Sequence, residues 1–560
     1  MAGKLTADWR TARSFAAAGA ALTLPVMVYA WPLLSRLTTA LPGTAQDHDV
    51  ATFVWNVTWV RHALDSGANL MFTDQVLIPY GADLRIHTYG LLQGLMAYPF
   101  TGWLGDLGAF NLMLVVTLWL NAVLMWVLAY EETGHRWPAV VAGLAFALSG
   151  PILMQFRVGR PSFGALWIAC AALLAARRLF ARPSAWTGAL LGLCLAAALL
   201  TDFQIVYFTV LWLAAYLIFR LARDRRHVLT RPHLGGWAVA AIVPAVLFFV
   251  LNYPSLASRL DRYPLPSLDD MRAYSFQVRY YLAPQLIPLY SSYVLVVGAL
   301  AALIYGRRGR DRFWLLAAAV FFVLALGPYL EPTRAPLPTA WMGTLWPPLR
   351  QFRTPSRMTM PAQIGLAVVT AGVLGQGRRR LGRSWGLAAT GLAGMVVLGH
   401  ALWREPFPVQ LYPHYDTYAR IGAETGDFAL LEVPVGVRSG LSRIGAGGEI
   451  LQFYYGQHGK RLINGMVARL PVEVFDGYRV HCSLLFLSGE PADRGCDLAS
   501  DFGAVLTWLE VRYVLVHGLL LEARQAQAIE AFLNGQPQLA LDTTEADLVV
   551  YRVRDIEPGD

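Results

Sequence analysis

Residues 14–36, SFAAAGAALTLPVMVYAWPLLSR, form an apolar run, and residues 47–59, DHDVATFVWNVTW, follow closely with two carboxylates and two tryptophans. A spanning helix needs about 20 mostly apolar residues, so the first run is predicted to cross a bilayer. Lys4, Arg10 and Arg13 precede it and no small-residue cleavage site follows, which predicts a retained span rather than a cleaved signal.

The same criterion gives about eleven spans along the chain. They lie near residues 14–36, 109–130, 137–156, 161–176, 184–200, 203–219, 234–252, 290–305, 313–330, 358–374 and 384–403. Mean hydropathy is +0.43, with 56% hydrophobic and 15% charged residues, more apolar surface than a soluble globule hides. The predicted fold class is therefore an α-helical polytopic membrane protein. The stretch 404–560 forms a separate extracytoplasmic α/β domain, and residues 1–403 the membrane domain.

A net charge of +9 could indicate nucleic acid, but the arginines sit in short loops between apolar runs, so no nucleic-acid partner is expected. Arg177, Arg178 and Arg182; Arg220, Arg223, Arg225, Arg226 and Arg231; Arg307, Arg308, Arg310 and Arg312; and Arg378, Arg379, Arg380 and Arg383 mark four loops. The excess of positive charge in cytoplasmic loops puts them inside. A cytoplasmic N-terminus satisfies all four only if residues 88–104 do not cross. That stretch carries Pro99 and Gly102 and is short, so it is assigned as interfacial or re-entrant. The loop 37–88 and the tail then face outward, and the chain is expected in a bacterial inner membrane.

In the tail, residues 428–435, 511–516 and 547–553 alternate like strands, and residues 522–533 like an amphipathic helix. Cys482 and Cys496 either pair, if this side is oxidising, or stay as free thiols.

Asp47 and Asp49 stand at the start of the first outer loop. One of two such carboxylates can take a proton from an attacking hydroxyl while the other, alone or with a hard cation such as Mg or Mn, holds a phosphate-bearing donor. Alternatively, Asp47 caps the following helix and Asp49 is a first-turn acid. A second feature is an arginine excess on the outer side, where orientation does not call for it. Arg334, Arg350, Arg353 and Arg357 face a single acid, Glu331, and the guanidinium forks of Arg353 and Arg357 suit a lipid phosphate. Arg157, Arg160 and Asp202 lie at other outer span ends. His87, Tyr80 and His458, the last in Tyr454-Tyr455-Gly456-Gln457-His458, are candidate substrate contacts. No Gly-rich phosphate loop, nucleophile elbow or zinc-spaced cysteine–histidine set is present.

These residues resemble the GT-C superfamily of integral membrane glycosyltransferases, near its bacterial polytopic members. The likeness rests on Asp47 and Asp49, on Arg61-His62-Ala63-Leu64, on Ile78-Pro79-Tyr80-Gly81-Ala82-Asp83-Leu84 and on Ala109-Phe110-Asn111. It also rests on Arg353-Thr354-Pro355-Ser356-Arg357, Leu431-Glu432-Val433-Pro434 and Val511-Arg512-Tyr513-Val514. The resemblance implies a polyprenyl-phosphate sugar donor, inversion at the anomeric carbon, and an extracytoplasmic glycan, lipid or protein acceptor. Asp49 would be the base, with Asp47 supporting it or touching a metal. The competing readings are a transporter or flippase of a lipid-linked saccharide, which usually has paired interrupted helices, and a non-catalytic envelope scaffold.

Overall fold

The computed structural model describes residues 9–228, 230–257, 262–306, 309–380, 382–491 and 495–554; Lys4, Arg307 and Arg308 of the orientation reading lie outside them. The chain divides into two units. The first comprises Met1–Thr44, Asn111–Val250 and Leu265–Gln410, and the second Ala45–Phe110, Leu251–Pro264 and Leu411–Asp560. The first outer loop thus groups with the C-terminal module, a long-range association that composition along the chain does not reveal.

The first unit is built of apolar helices, since a helix satisfies every backbone polar group within itself and so suits a hydrocarbon solvent. All eleven predicted segments are helical over most of their length. Among the described residues six helices are long and apolar enough to cross a membrane, or eight if each of two bent pairs is one span. The other three, Trp167–Ala181, Ala185–Thr201 and Arg310–Ala325, run 15, 17 and 16 residues. One expected start moves: residues 161–166 form a loop, and the helix begins at Trp167. In Leu91–Thr133 the backbone breaks at Gly105 (φ 68°), separating the stretch assigned as interfacial from the helix after it.

Pro355–Gly377 is the hub of this unit, with 89% of its apolar window buried against 11% for Arg231–Leu251. Trp212 Nε1 donates to the Pro361 carbonyl at 3.0 Å and its ring packs on Trp314 and Phe321. The pairs Arg136–Ala147 with Gly150–Arg157, and Pro284–Tyr290 with Tyr293–Tyr305, bend by 51° and 104°. Their breaks meet, with Gly150 N donating to Ser291 O at 3.3 Å. Gln363 of the hub seals the junction. It accepts from Ser291 Oγ at 2.7 Å and donates to the carbonyls of Tyr290 and Thr359 at 2.8 and 2.6 Å.

The second unit centres on a five-stranded sheet, in spatial order Arg461–Leu462, Ala429–Val433, Val511–His517, Leu548–Val553, Leu539–Glu545. The first three strands are parallel and the last two antiparallel additions, and Ala429–Val433 is buried throughout, as a central parallel strand should be. The predicted strands and the helix Ala523–Asn534 fall where expected; the edge strand Leu539–Glu545 was not foreseen. Glu432, 0% exposed, accepts from Tyr418 Oη at 3.0 Å and pairs with His517 Nε2 at 2.7 Å, so the acid of Leu431-Glu432-Val433-Pro434 is a satisfied core group. The outer loop adds the helix Asp49–Ser66, a bridge from Val76 to Leu462, and the Ile78 carbonyl that accepts from Tyr478 Oη at 2.7 Å. Cys482 and Cys496 are joined in a disulfide.

The crossing of the broken helices leaves no space for a side chain, because a Cβ on Gly150 would lie 1.6 Å from the Pro288 carbonyl oxygen. Gly150→Ala is expected to lower stability by about 1–3 kcal/mol or more through overpacking. Gly391→Ala, with nothing within 4 Å, is expected to leave stability unchanged or raise it slightly. Thermal melts in detergent compare the two.

Candidate active site

Asp49 opens the helix Asp49–Ser66 in the second unit, where a carboxylate is favoured by the first-turn amides. The N-cap position is His48, whose side chain makes no capping bond, so Asp47 is not the cap residue and lies one position before it. The Asp49 carboxylate is 28% exposed and 3.7 Å from Arg438 Nη1. That same Nη1 is bonded to Glu449, whose side chain is only 7% exposed. Arg438 comes from the short strand Val437–Arg438, and Glu449 from the first turn of Gly448–Phe453, which packs on the Asp49–Ser66 helix.

A divalent ion at this position was expected. The residues do not fit one: the cationic neighbour of Asp49 is a guanidinium, which also occupies the buried carboxylate of Glu449. Among the described residues no group of three or more His, Cys, Asp or Glu stands together to hold a metal.

The arginines belong to the first unit. Arg357 lies over the Phe163 ring at 4.1 Å, and its Nη1 donates to Gln204 Oε1 at 3.0 Å. Asp202 in turn accepts from Gln204 N at 2.7 Å, so Arg357, Gln204 and Asp202 form one connected group. Arg353 lies over Tyr274 at 4.7 Å. Arg334 pairs with Asp269 at 2.7 Å on an exposed surface, a contact of small energetic value.

Phe163 sits on a turn that carries further polar groups. Arg160 N donates to the Gln155 carbonyl at 2.8 Å, closing the end of Gly150–Arg157, and Asn121 Nδ2 anchors the Gly164 carbonyl at 2.7 Å. Arg157 is bonded to Glu405. Gln155 Oε1, Arg157 Nε and Ser162 Oγ are buried without a hydrogen-bond partner. Gln155 and Ser162 were not foreseen, because a lone Gln or Ser beside an apolar run carries no sequence signal.

The remaining candidates lie in the second unit, and two of them face inward. His87 is 6% exposed, with Nε2 on Asn56 Oδ1 at 3.1 Å and Nδ1 accepting from Ala468 N at 3.0 Å. His458 is 3% exposed, stacked on Tyr418, with Nδ1 accepting from Lys460 N at 2.9 Å. Both rings are buried in this unit, and His458 Nε2 has no hydrogen-bond partner. Tyr80, 37% exposed and edge-on to Tyr478, remains accessible.

Burial pushes both imidazoles down to about 3 from the usual 6.5, so they are neutral in the fold. Below pH 6.5 the unfolded chain takes up protons that the folded chain refuses, and stability falls as pH drops from 6.5 towards 3. The loss is on the order of 4 kcal/mol per histidine at the acid end. Melts at pH 7 and pH 4.5 are expected to show it, with a smaller drop in His458→Phe, which keeps the stack on Tyr418 and removes the titrating group.

No protein-family model matches the sequence, and no curated protein is significantly similar to it. Solved structures do match. The arabinofuranosyltransferase AftD from Mycobacteria superposes with a TM-score of 0.61 at 16% identity, covering 97% of this chain and 40% of AftD. The chain therefore spans well under half of that protein. ArnT from Cupriavidus metallidurans in the apo state superposes with a TM-score of 0.50 at 14% identity, covering 97% of this chain and 98% of ArnT. This multi-pass chain therefore shares the fold of these two solved structures.

Proposed function

We propose that the chain is a membrane glycosyltransferase that moves a sugar from a polyprenyl-phosphate donor to an extracytoplasmic glycan, lipid or protein acceptor. The observation that carries this reading is three buried polar atoms without a hydrogen-bond partner, Gln155 Oε1 and Arg157 Nε near the end of Gly150–Arg157 and Ser162 Oγ on the turn after it, whose Phe163 lies under Arg357. Burying a polar group without a partner costs about 1–3 kcal/mol by protein measurements, so such a set marks a place built for a polar guest. Arg357 supplies positive charge, Arg157, paired with Glu405, an Nε–H donor and Ser162 an O–H donor, the chemistry of a phosphate cradle. Tyr207, Met271, Leu324, Phe352, Pro355 and Met358 line a small cavity in the same unit.

In this reading the acceptor hydroxyl attacks the anomeric carbon from the face opposite the phosphate, which inverts the configuration. Its proton passes to the Asp49 carboxylate, and the bond from the anomeric carbon to the phosphate oxygen breaks with its electron pair leaving on the phosphate. The guanidinium groups and the Ser162 hydroxyl stabilise the charge that grows there. Asp47 supports the base, Arg353 and Arg160 add charge to the donor side, and Tyr80 contacts the acceptor. AftD, by its name, transfers a sugar, which agrees with this reading.

The transport reading has one observation in its favour, the two broken helices that cross at Gly150 and Ser291. Interrupted helices in transporters aim their ends at substrate or ion. Here the junction is filled by Gln363, which is 0% exposed, and this favours a structural crossing.

In a deletion strain complemented with variants, mass spectrometry of surface glycans and prenyl-linked sugars tests the proposal. Asp49→Asn is expected to abolish product while the protein still accumulates, and normal product from it would remove Asp49 from the role. Arg357→Lys, which loses the bidentate fork, is expected to lower product about tenfold or more.

The disulfide supports an outward tail in an oxidising compartment of the bacterial envelope. A membrane-impermeant maleimide is expected to label Cys482 and Cys496 in spheroplasts only after reduction. Labelling without reduction would contradict the disulfide, and no labelling after reduction would contradict the placement.

A further inference from the structure

The place beside Asp49 where a cation was expected already holds one. Arg438 Nη1 is 3.7 Å from Asp49 Oδ1, and the same atom is bonded to Glu449. Glu449 is buried and Arg438 is 40% exposed in its side chain, so the guanidinium is held by a buried partner while part of the side chain stays accessible. The backbone allows this arrangement because Gly436 and Gly448 come together: a Cβ on Gly436 would lie 2.4 Å from Gly448 N. That contact brings the strand carrying Arg438 against the turn carrying Glu449.

Resting on the reading of Asp49 as the base, we propose that Arg438 is the built-in cation of this site. It holds the Asp49 carboxylate in place and does the electrostatic work that a divalent ion would do. A guanidinium fork can neutralise one carboxylate and still present N–H donors to a second anion, whereas a lone carboxylate pair would need a metal to do so. Removal of that nitrogen would leave the Asp49 and Glu449 carboxylates without their shared cation, and a small adjustment of the two side chains would let a hard divalent ion, which takes oxygen ligands at about 2.0–2.6 Å, bridge them. Arg438 therefore excludes the metal that its own loss would admit. It is a positioning residue, acting through Asp49.

Mn2+ titration followed by electron paramagnetic resonance, on the full-length protein in detergent, tests this without any transfer reaction. The wild type is expected to show no Mn2+ site that Asp49→Asn removes. Arg438→Ala and Arg438→Gln are expected each to gain such a site, and Arg438→Lys to gain none. An Asp49-dependent Mn2+ site in the wild type would overturn the proposal whether or not the variants fold. Failure of both neutral variants to bind Mn2+ while melting like the wild type would overturn it too. In the complemented strain, where the wild type makes product, Arg438→Lys is expected to retain more product than Arg438→Gln, and equal loss in both would contradict the assignment. Absence of product from the wild type would instead count against the glycosyltransferase reading, leaving the Mn2+ result to stand alone.

Discussion

An unpaired polar atom inside an apolar body is the constraint on which the rest depends. The membrane unit meets that cost by internal pairing at its central contacts. Gln363 uses its oxygen and its amide at the crossing of the broken helices, and Trp212 gives its N–H to the Pro361 carbonyl. Gln155 and Arg157 near the end of one helix and Ser162 on the turn after it, beside the Phe163 ring under Arg357, each carry a buried polar atom without a partner. Grouped exceptions of this kind are where a ligand contributes the missing partners.

The outer unit follows the same constraint with a different result. Its buried acids are matched: Glu432 with Tyr418 and His517, and Glu449 with Arg438. Buried His87 and His458 stay neutral because burial disfavours the charged ring. Asp49 is set apart, at a helix start, part exposed, and steadied by a guanidinium shared with a buried acid. A carboxylate meant to accept a proton needs access on one side and a fixed orientation on the other, and this pairing supplies both.

Much of the architecture was legible in the sequence, because hydropathy over about 20 residues reports directly on the solvent a helix meets. The apolar run 14–36 and the arginine loops gave the membrane body, and alternation in residues 428–435 and 511–516 gave the central strands. What stayed hidden was long-range. Nothing local in residues 45–110 says that they group with a module 300 residues later, and Arg438 sits in a glycine-rich stretch that reads as a turn. Asp49 was visible because two acids beside tryptophans follow a span; its partner was not. The burial of His87 and His458 was hidden too, since a histidine in a polar segment gives no local sign that the fold closes over it.

The central claim is that the turn bearing Gln155 to Phe163, together with Arg357, receives a lipid phosphate. Cryo-electron microscopy of the protein with added decaprenyl phosphate measures this directly. The account expects phosphate density within hydrogen-bond distance of Ser162 Oγ and the guanidinium groups of Arg157 and Arg357. Phosphate bound elsewhere on the molecule, with Gln155, Arg157 and Ser162 closed on one another, would contradict it.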